Sequence, residues 1–296
     1  MTNINNNENI IKVGTFFSGI GSPEKALQRL KENGYISDFK IEFFSEIDKN
    51  AIKSYCAIHN VNPNLNLGDI KNIDGQKLPY CDMWIGGFPC QDISCAGKMQ
   101  GFKYESKTRS SLGWEMIRLL KEVSIKPKYV IFENVVTITS KIFRDTLNSF
   151  KNDLKELGYT LYEDILCATN FGIPQSRRRY FLVAILDSNN NFSFPKFTKK
   201  VGLTLKDFLD KDVEEKYYLS GNSYIEINNK RLFHNINKNE IIYEIDIDKY
   251  LRGGHCGIDH HSKFRQSRTI FSDLGNAPTL TSRNLADNCK IVVSEE

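Results

Sequence analysis

The stretch Ile11-Lys12-Val13-Gly14-Thr15-Phe16-Phe17-Ser18-Gly19-Ile20-Gly21-Ser22-Pro23-Glu24 opens on an apolar run and breaks into a glycine turn. It then enters a segment with Ala26, Leu27 and Leu30 spaced for one buried helical face. The run from Ile11 to Phe17 predicts a buried strand. Ser22 is placed as an N-cap, with Pro23 at the first helical position, where its missing N–H leaves no bond unmade. Strand, glycine turn and helix in this order begin a βα unit whose turn lets backbone approach a ligand at a helix N-terminus. A dinucleotide fingerprint needs a third glycine where Glu24 stands, so the turn leaves room for another nucleoside cofactor.

Further apolar runs at Ile41 to Phe44, Met83 to Ile85, Tyr129 to Phe132 and Tyr180 to Leu186 predict more strands. Between them lie helical patterns such as Ile142, Phe143, Leu147, Phe150, Leu154 and Leu157. Alternation of this kind predicts an α/β domain with a parallel sheet and helices on its faces. After Asp187 the polar stretch Ser188-Asn189-Asn190-Asn191 predicts a linker. Beyond it the periodicity is irregular, with short β-like stretches such as Ile225 to Ile227. The expected organisation is a disordered N-terminus over 1–10, an α/β domain over 11–187 and a smaller, irregular domain over 188–296. No internal repeat or heptad run is visible.

Composition narrows the class. The chain has 296 residues, 40 Lys+Arg against 36 Asp+Glu and a formal net charge of +4, which permits a polyanionic partner without demanding one. Its 7 cysteines, odd in number and without paired spacing, argue against a disulfide framework and for reduced thiols in a cytoplasmic setting. No apolar run approaches the roughly 20 residues that span a bilayer, and the Asn-rich start lacks a signal-peptide pattern.

Several polar residues sit at strand ends, where α/β sheets bind ligands. Glu46, in Phe44-Ser45-Glu46-Ile47-Asp48, can accept hydrogen bonds from ribose hydroxyls, and Asp69, in Gly68-Asp69-Ile70, can accept one from an adenine amine. Either acid alone reads as a solvated loop carboxylate. Gly86-Gly87-Phe88-Pro89-Cys90-Gln91-Asp92-Ile93-Ser94 places a cysteine past an apolar strand, beside glycines and polar groups. Cys56, Cys81 and Cys167 read instead as structural thiols. Two further segments supply what a reactive thiol needs: Phe132-Glu133-Asn134-Val135, and Gly172-Ile173-Pro174-Gln175-Ser176-Arg177-Arg178-Arg179 leading into a strand. Guanidinium charge nearby raises the thiolate fraction of a cysteine. Strand alternation turns Arg178 away from the side that Arg177 and Arg179 share.

Taken in order, Phe-x-Gly-x-Gly, Ser-Glu-Ile-Asp, Gly-Asp-Ile, Gly-Gly-Phe-Pro-Cys-Gln, Glu-Asn-Val and Gln-x-Arg-x-Arg resemble the DNA cytosine-5 methyltransferase family, over roughly Val13 to Ala184. The resemblance implies a Rossmann-like, S-adenosylmethionine-dependent methyltransferase sheet with a smaller target-recognition domain, acting on double-stranded DNA. It implies that Phe17, Gly19 and Gly21 line the methionine side of S-adenosylmethionine, that Glu46 holds the ribose, and that Ile47 and Asp69 meet the adenine. It makes Cys90 the nucleophile, Glu133 the acid on the cytosine ring, and Arg177 and Arg179 the positive groups around the base. Pro89, Gln91, Asn134 and Gln175 are expected to shape the substrate pocket. The target base must leave the helix to be reached, and the segment from Ser94 to Lys107 is a candidate lid.

Arg252, His255, Lys263, Arg265, Arg268 and Arg283 make a local basic region suited to phosphate contact, and Ala277-Pro278-Thr279-Leu280-Thr281 weakly resembles the core of the family's target-recognition domain. His255, Cys256, His260 and His261 match no familiar zinc spacing, so no metal is expected. The family's closing motifs, an Arg-x-Leu-Thr-x-x-Glu segment and a Gly-Asn-Ser-Val loop, are not found before Glu296. Gly221-Asn222-Ser223-Tyr224 lies too early to be the second. The expectation is a second polypeptide supplying these motifs, or a truncated chain. The competing expectations are a catalytically incomplete DNA-binding subunit and an RNA cytosine-5 methyltransferase.

Overall fold

The structure, a computed structural model, describes residues 10–90, 109–186, 191–196, 207 and 214 together with five further strands given below. Chain compactness divides it into two units, Met1–Leu166 with Arg179–Phe194, and Cys167–Arg178 with Pro195–Glu296.

The first unit carries β1 (Ile10–Phe16), α1 (Ser22–Glu32), β2 (Asp38–Ser45), α2 (Lys49–His59), β3 (Met83–Gly86), α3 (Gly113–Glu122), β4 (Tyr129–Val135), α4 (Arg144–Glu156), β5 (Tyr159–Cys167) and β6 (Arg178–Leu186). The strands form one sheet in the order β2-β1-β3-β4-β6-β5. β1 pairs in parallel with both β2 and β3, and β3 pairs in parallel with β4. The chain therefore leaves β1 toward opposite sides, which opens a crevice at the strands' carboxyl ends.

The all-parallel expectation gives way at β6, which runs antiparallel to β4. Between β5 and β6 stands only a short 3-10 turn, Ala168–Phe171, and not the helical crossover that parallel neighbours require. The antiparallel strand brings its first residues to the edge where β1, β2, β3 and β4 end. β5 itself escaped the sequence reading, because Glu163 and Asp164 interrupt its apolar pattern.

Edge-to-face contacts of Phe16 with Phe43 and Trp84, at 5.3 and 5.1 Å, build the core under β1. Gly14 permits this, since a Cβ there would lie 2.3 Å from the Phe43 ring. Under β4, Phe150 of α4 packs against Phe88, Trp114 and Phe132.

Helix α1 differs from its sequence reading in a way that matters for the site. Gly21, in the left-handed region at φ 84, takes the cap position expected of Ser22. The buried row is Gly21, Glu24 and Leu27, whereas Ala26 is exposed and Leu30 is 40% exposed. A carboxylate thus occupies a core position.

In the second unit, the strands β7 (Tyr224–Ile227), β8 (Lys230–Phe233), β9 (Arg252–Cys256), β10 (Thr269–Ser272) and β11 (Lys290–Val292) form a sheet in the order β11-β10-β9-β7-β8. β10 and β11 are parallel, whereas β9 runs antiparallel to both β10 and β7, and β7 to β8. Ile10, counted with the N-terminal tail in the sequence, already belongs to β1. Gln91, the candidate lid from Ser94 to Lys107, residues 188–190 of the linker, and Lys263, Arg265, Arg268 and Arg283 lie outside the described residues.

Candidate active site

Four loops meet the crevice. The first follows β1, where Phe17 and Gly19 take positive φ of 54° and 55°. Left-handed backbone is costly for a residue with a Cβ, so Phe17 marks local strain. Among the described residues, no heavy atom lies within 4 Å of where a Cβ on Gly19 would stand. The turn is open at that point.

The second loop follows β2. Glu46 turns its carboxylate back onto the glycine turn: Oε2 accepts from Gly19 N at 2.8 Å, and Oε1 from Ile47 N and Asp48 N at 2.8 and 2.9 Å. Asp48 caps α2 by accepting from Asn50 N and Ala51 N. In the third loop, Asp69 caps a 3-10 turn through Lys71 N and pairs with Lys71 Nζ at 3.2 Å. Asn66 joins these two loops: its Oδ1 accepts from Glu46 N and Gly68 N, and its Nδ2 donates to the Glu46 carbonyl.

These groups fit a nucleoside cofactor. Glu46 keeps acceptor capacity beside an open glycine turn, and Ile20 and Ile47 are 54% and 70% exposed. Apolar surface left uncovered next to a carboxylate is what a base and its ribose require. Phe17, Gly19, Gly21, Glu46, Ile47 and Asp69, separate motifs in the sequence, all fall on loops at this edge of the sheet.

The fourth loop carries Cys90. Phe88 is buried and lies over Gly113, where a Cβ would come within 2.9 Å of its ring. Its carbonyl accepts from Asn134 Nδ2 at 3.1 Å, and Asn134 is itself 1% exposed. Asn134 thereby ties the Phe88-Pro89-Cys90 turn to the end of β4. Gly87 is needed for closeness, because a Cβ there would meet Glu133 Oε2 at 3.2 Å. Cys90 is a free, partly exposed thiol. Burial pushes the Cys81 thiol up to about 12, in keeping with its structural reading.

Strand register explains which arginine joins the acid. Glu133 stands opposite Phe181, and Val135 opposite Arg179. Residues alternating along β6 share a face, so Arg179 is the diagonal neighbour of Glu133. Its Nε lies 2.9 Å from Glu133 Oε1, with the side chains 18% and 32% exposed. The intervening Tyr180 faces the other way and donates to Glu163 Oε2.

Gln175 and Arg177 belong to the second compact unit. There Arg177 N donates to the Gln175 carbonyl, and the Arg177 carbonyl accepts from Ala168 N. Among the described residues no group of three or more His, Cys, Asp or Glu is placed to hold a metal, and no helix is long and apolar enough to cross a membrane.

Residues 11–290 match the sequence model of the family described as C-5 cytosine-specific DNA methylase. The orphan methyltransferase M.Rho11sI of Bacillus phage rho11s is 32% identical over 307 residues, covering 93% of this chain and 58% of its own. The type II methyltransferase M2.ScrFI of Lactococcus lactis subsp. cremoris is 45% identical over 159 residues, 54% of this chain and 43% of its own. The chain thus spans about half the length of these relatives. In fold it is similar to the Entamoeba histolytica methyltransferase EhMeth, with a TM-score of 0.57 at 24% identity over 71% of this chain and 63% of that one. A putative DNA modification methyltransferase from an Escherichia coli prophage gives a TM-score of 0.55 at 20% identity, over 91% and 82%. With the family model matched over 11–290, the chain belongs to the C-5 cytosine-specific DNA methylase family.

Proposed function

We propose that this chain methylates carbon 5 of cytosine in double-stranded DNA, by a covalent route through Cys90. The observation that carries the reading is the joining of three groups at one sheet edge: the Cys90 turn held by Asn134, the acid Glu133, and Arg179 paired with that acid. Aromatic cytosine is a poor nucleophile at carbon 5. Addition of the Cys90 thiolate to carbon 6 breaks the ring's double bond and moves an electron pair toward carbon 5. Glu133 bonds the ring nitrogen and exocyclic amine, offsetting the charge that develops there. Arg179 fixes the orientation of Glu133 during this step. Once carbon 5 carries the methyl group, loss of its proton to a base expels the Cys90 thiolate and restores the aromatic ring.

The glycine turn would hold S-adenosylmethionine, which would supply the electrophilic methyl group and leave as S-adenosylhomocysteine. Glu46 and Asp69 are the acids assigned to its ribose and adenine, Ile47 the apolar wall, and Phe17, Gly19 and Gly21 the lining of its methionine end. Pro89 shapes the base pocket, and Gln91, Gln175 and Arg177 are assigned to substrate binding by the resemblance alone. Cytosine must swing out of the duplex to reach Cys90, at a cost of a few kcal/mol. The type II relatives support a setting in restriction and modification.

The test incubates the chain with methyl-labelled S-adenosylmethionine and mixed-sequence DNA, alone and with a candidate second polypeptide, and identifies the labelled nucleoside. Label in 5-methylcytosine is the expected result. Label on adenine or on cytosine's exocyclic nitrogen contradicts the assignment, and activity of the chain alone removes the need for a second polypeptide.

A further inference from the structure

Glu24 is 0% exposed on α1, and its Oε1 accepts two hydrogen bonds of 2.6 Å, from Thr15 Oγ1 and from the Tyr55 hydroxyl. Its Oε2 is buried without a partner. An unpartnered carboxylate oxygen out of water is destabilising, and an apolar residue would serve helix packing better. Proton counting shows what the acid does. The single hydroxyl proton of Thr15 goes to Glu24, so Thr15 Oγ1 must accept from Ser18 Oγ, 2.9 Å away. With its proton committed, Ser18 Oγ accepts from Ser45 N at 3.3 Å, in preference to donating to the Ser45 carbonyl at the same distance. Ser45 Oγ in turn donates to the Gly68 carbonyl at 2.7 Å. One acceptor thus orients the donors from Ser45 N through Ser18 to Thr15, and the side chain of the same Ser45, a separate donor, reaches the third loop.

We infer that Glu24 is a positioning residue for cofactor binding: it sets the direction of the Thr15–Ser18–Ser45 hydrogen-bond chain and so holds the glycine turn, Glu46 and Asp69 in register. The inference rests on the proposal that a nucleoside cofactor binds at these loops. Burial, reinforced by the Glu24 carboxylate, pushes the Tyr55 phenol far above its ordinary range and keeps it a donor. Tyr55 is a branch that anchors Glu24, whereas Thr15 lies on the line to the loops.

That difference supplies the test. Thr15→Val and Tyr55→Phe each delete one hydrogen bond to the same oxygen and preserve side-chain shape. Calorimetry with S-adenosylhomocysteine is expected to give about tenfold weaker binding for Thr15→Val and less than about twofold for Tyr55→Phe, at comparable losses in melting temperature. Glu24→Gln, which keeps an acceptor at Oε1, is expected within about threefold of wild type, and Glu24→Leu to lose about tenfold or more. Amide exchange at Ile47 and Gly68, measured without ligand, should quicken in Thr15→Val and not in Tyr55→Phe. Equal effects of Thr15→Val and Tyr55→Phe on both readouts, or no effect of Thr15→Val, would overturn the positioning role. A wild type that fails to bind S-adenosylhomocysteine counts against the proposed function instead, and exchange then decides the positioning role by itself.

Discussion

Arg179 Nε lies 2.9 Å from Glu133 Oε1 although the register sets Glu133 opposite Phe181. The pair is diagonal across β4 and β6, and it forms because β6 enters the sheet antiparallel with its first residues beside the end of β4. Removing the guanidinium leaves a part-buried acid without the group that aims it. Arg179→Ala is expected to lower the methyl-transfer rate about 100-fold, with cofactor affinity within about twofold of wild type. Arg178→Ala, on the opposite strand face and exposed, is expected to lower the rate less than about threefold. Steady-state kinetics with calorimetry of S-adenosylhomocysteine checks both.

The two glycines that open the Cys90 loop should fail differently. A Cβ on Gly86 would lie 2.4 Å from Met116 Sδ in the core, so Gly86→Ala is expected to cost about 1–3 kcal/mol of stability. A Cβ on Gly87 would press on Glu133 Oε2 at 3.2 Å, so Gly87→Ala is expected to lose about tenfold in rate with little change in melting temperature. Thermal melts paired with turnover separate them.

Phe17 holds a left-handed backbone at φ 54. Phe17→Gly and Phe17→Ala both delete the ring, but only glycine relieves that strain. The glycine variant is expected to be more stable than the alanine variant by about 1 kcal/mol. Urea unfolding of the two side by side measures the difference, and an alanine variant of equal or greater stability would remove the claim of strain.

Acid should weaken the fold through two carboxylates outside the site. Burial tends to raise Glu163, but hydrogen bonds from Tyr180 and Lys151 outweigh it and hold the group below the usual carboxylate range. Arg118 does the same for Glu122, helped by the Gly75 amide. A folded value below the unfolded one of about 4.3 gives stability that is present above that pH and is lost as pH falls through the folded value. Urea midpoints should therefore drop between about pH 5 and pH 3, and less steeply in Glu163→Gln.

Much of the candidate site's placement is legible in sequence because motif residues occupy strand ends, which apolar runs mark. Cys90, Glu133 and Arg179 stand where the runs from Met83, from Tyr129 and into Tyr180 implied. What stayed hidden depends on register and proton direction. The antiparallel course of β6 follows from a short turn that no periodicity reports. Asn66 has no signature beyond its type, yet it clasps two loops through three hydrogen bonds. Glu24 was noticed only as a missing glycine, since a charged residue on a helical face reads as solvated until its neighbours Thr15 and Tyr55 are seen.

The central claim is that the Cys90 sulfur bonds carbon 6 of an extruded cytosine. Its most direct measurement uses a preparation that methylates an ordinary duplex, supplied with S-adenosylmethionine and the same duplex carrying 5-fluorocytosine, whose carbon 5 has no proton to lose. The account predicts a stable protein–DNA adduct, mapped by peptide mass spectrometry to Cys90 and absent from Cys90→Ser. Turnover on the ordinary duplex with no adduct on the fluorinated one, or an adduct on another cysteine, would contradict it.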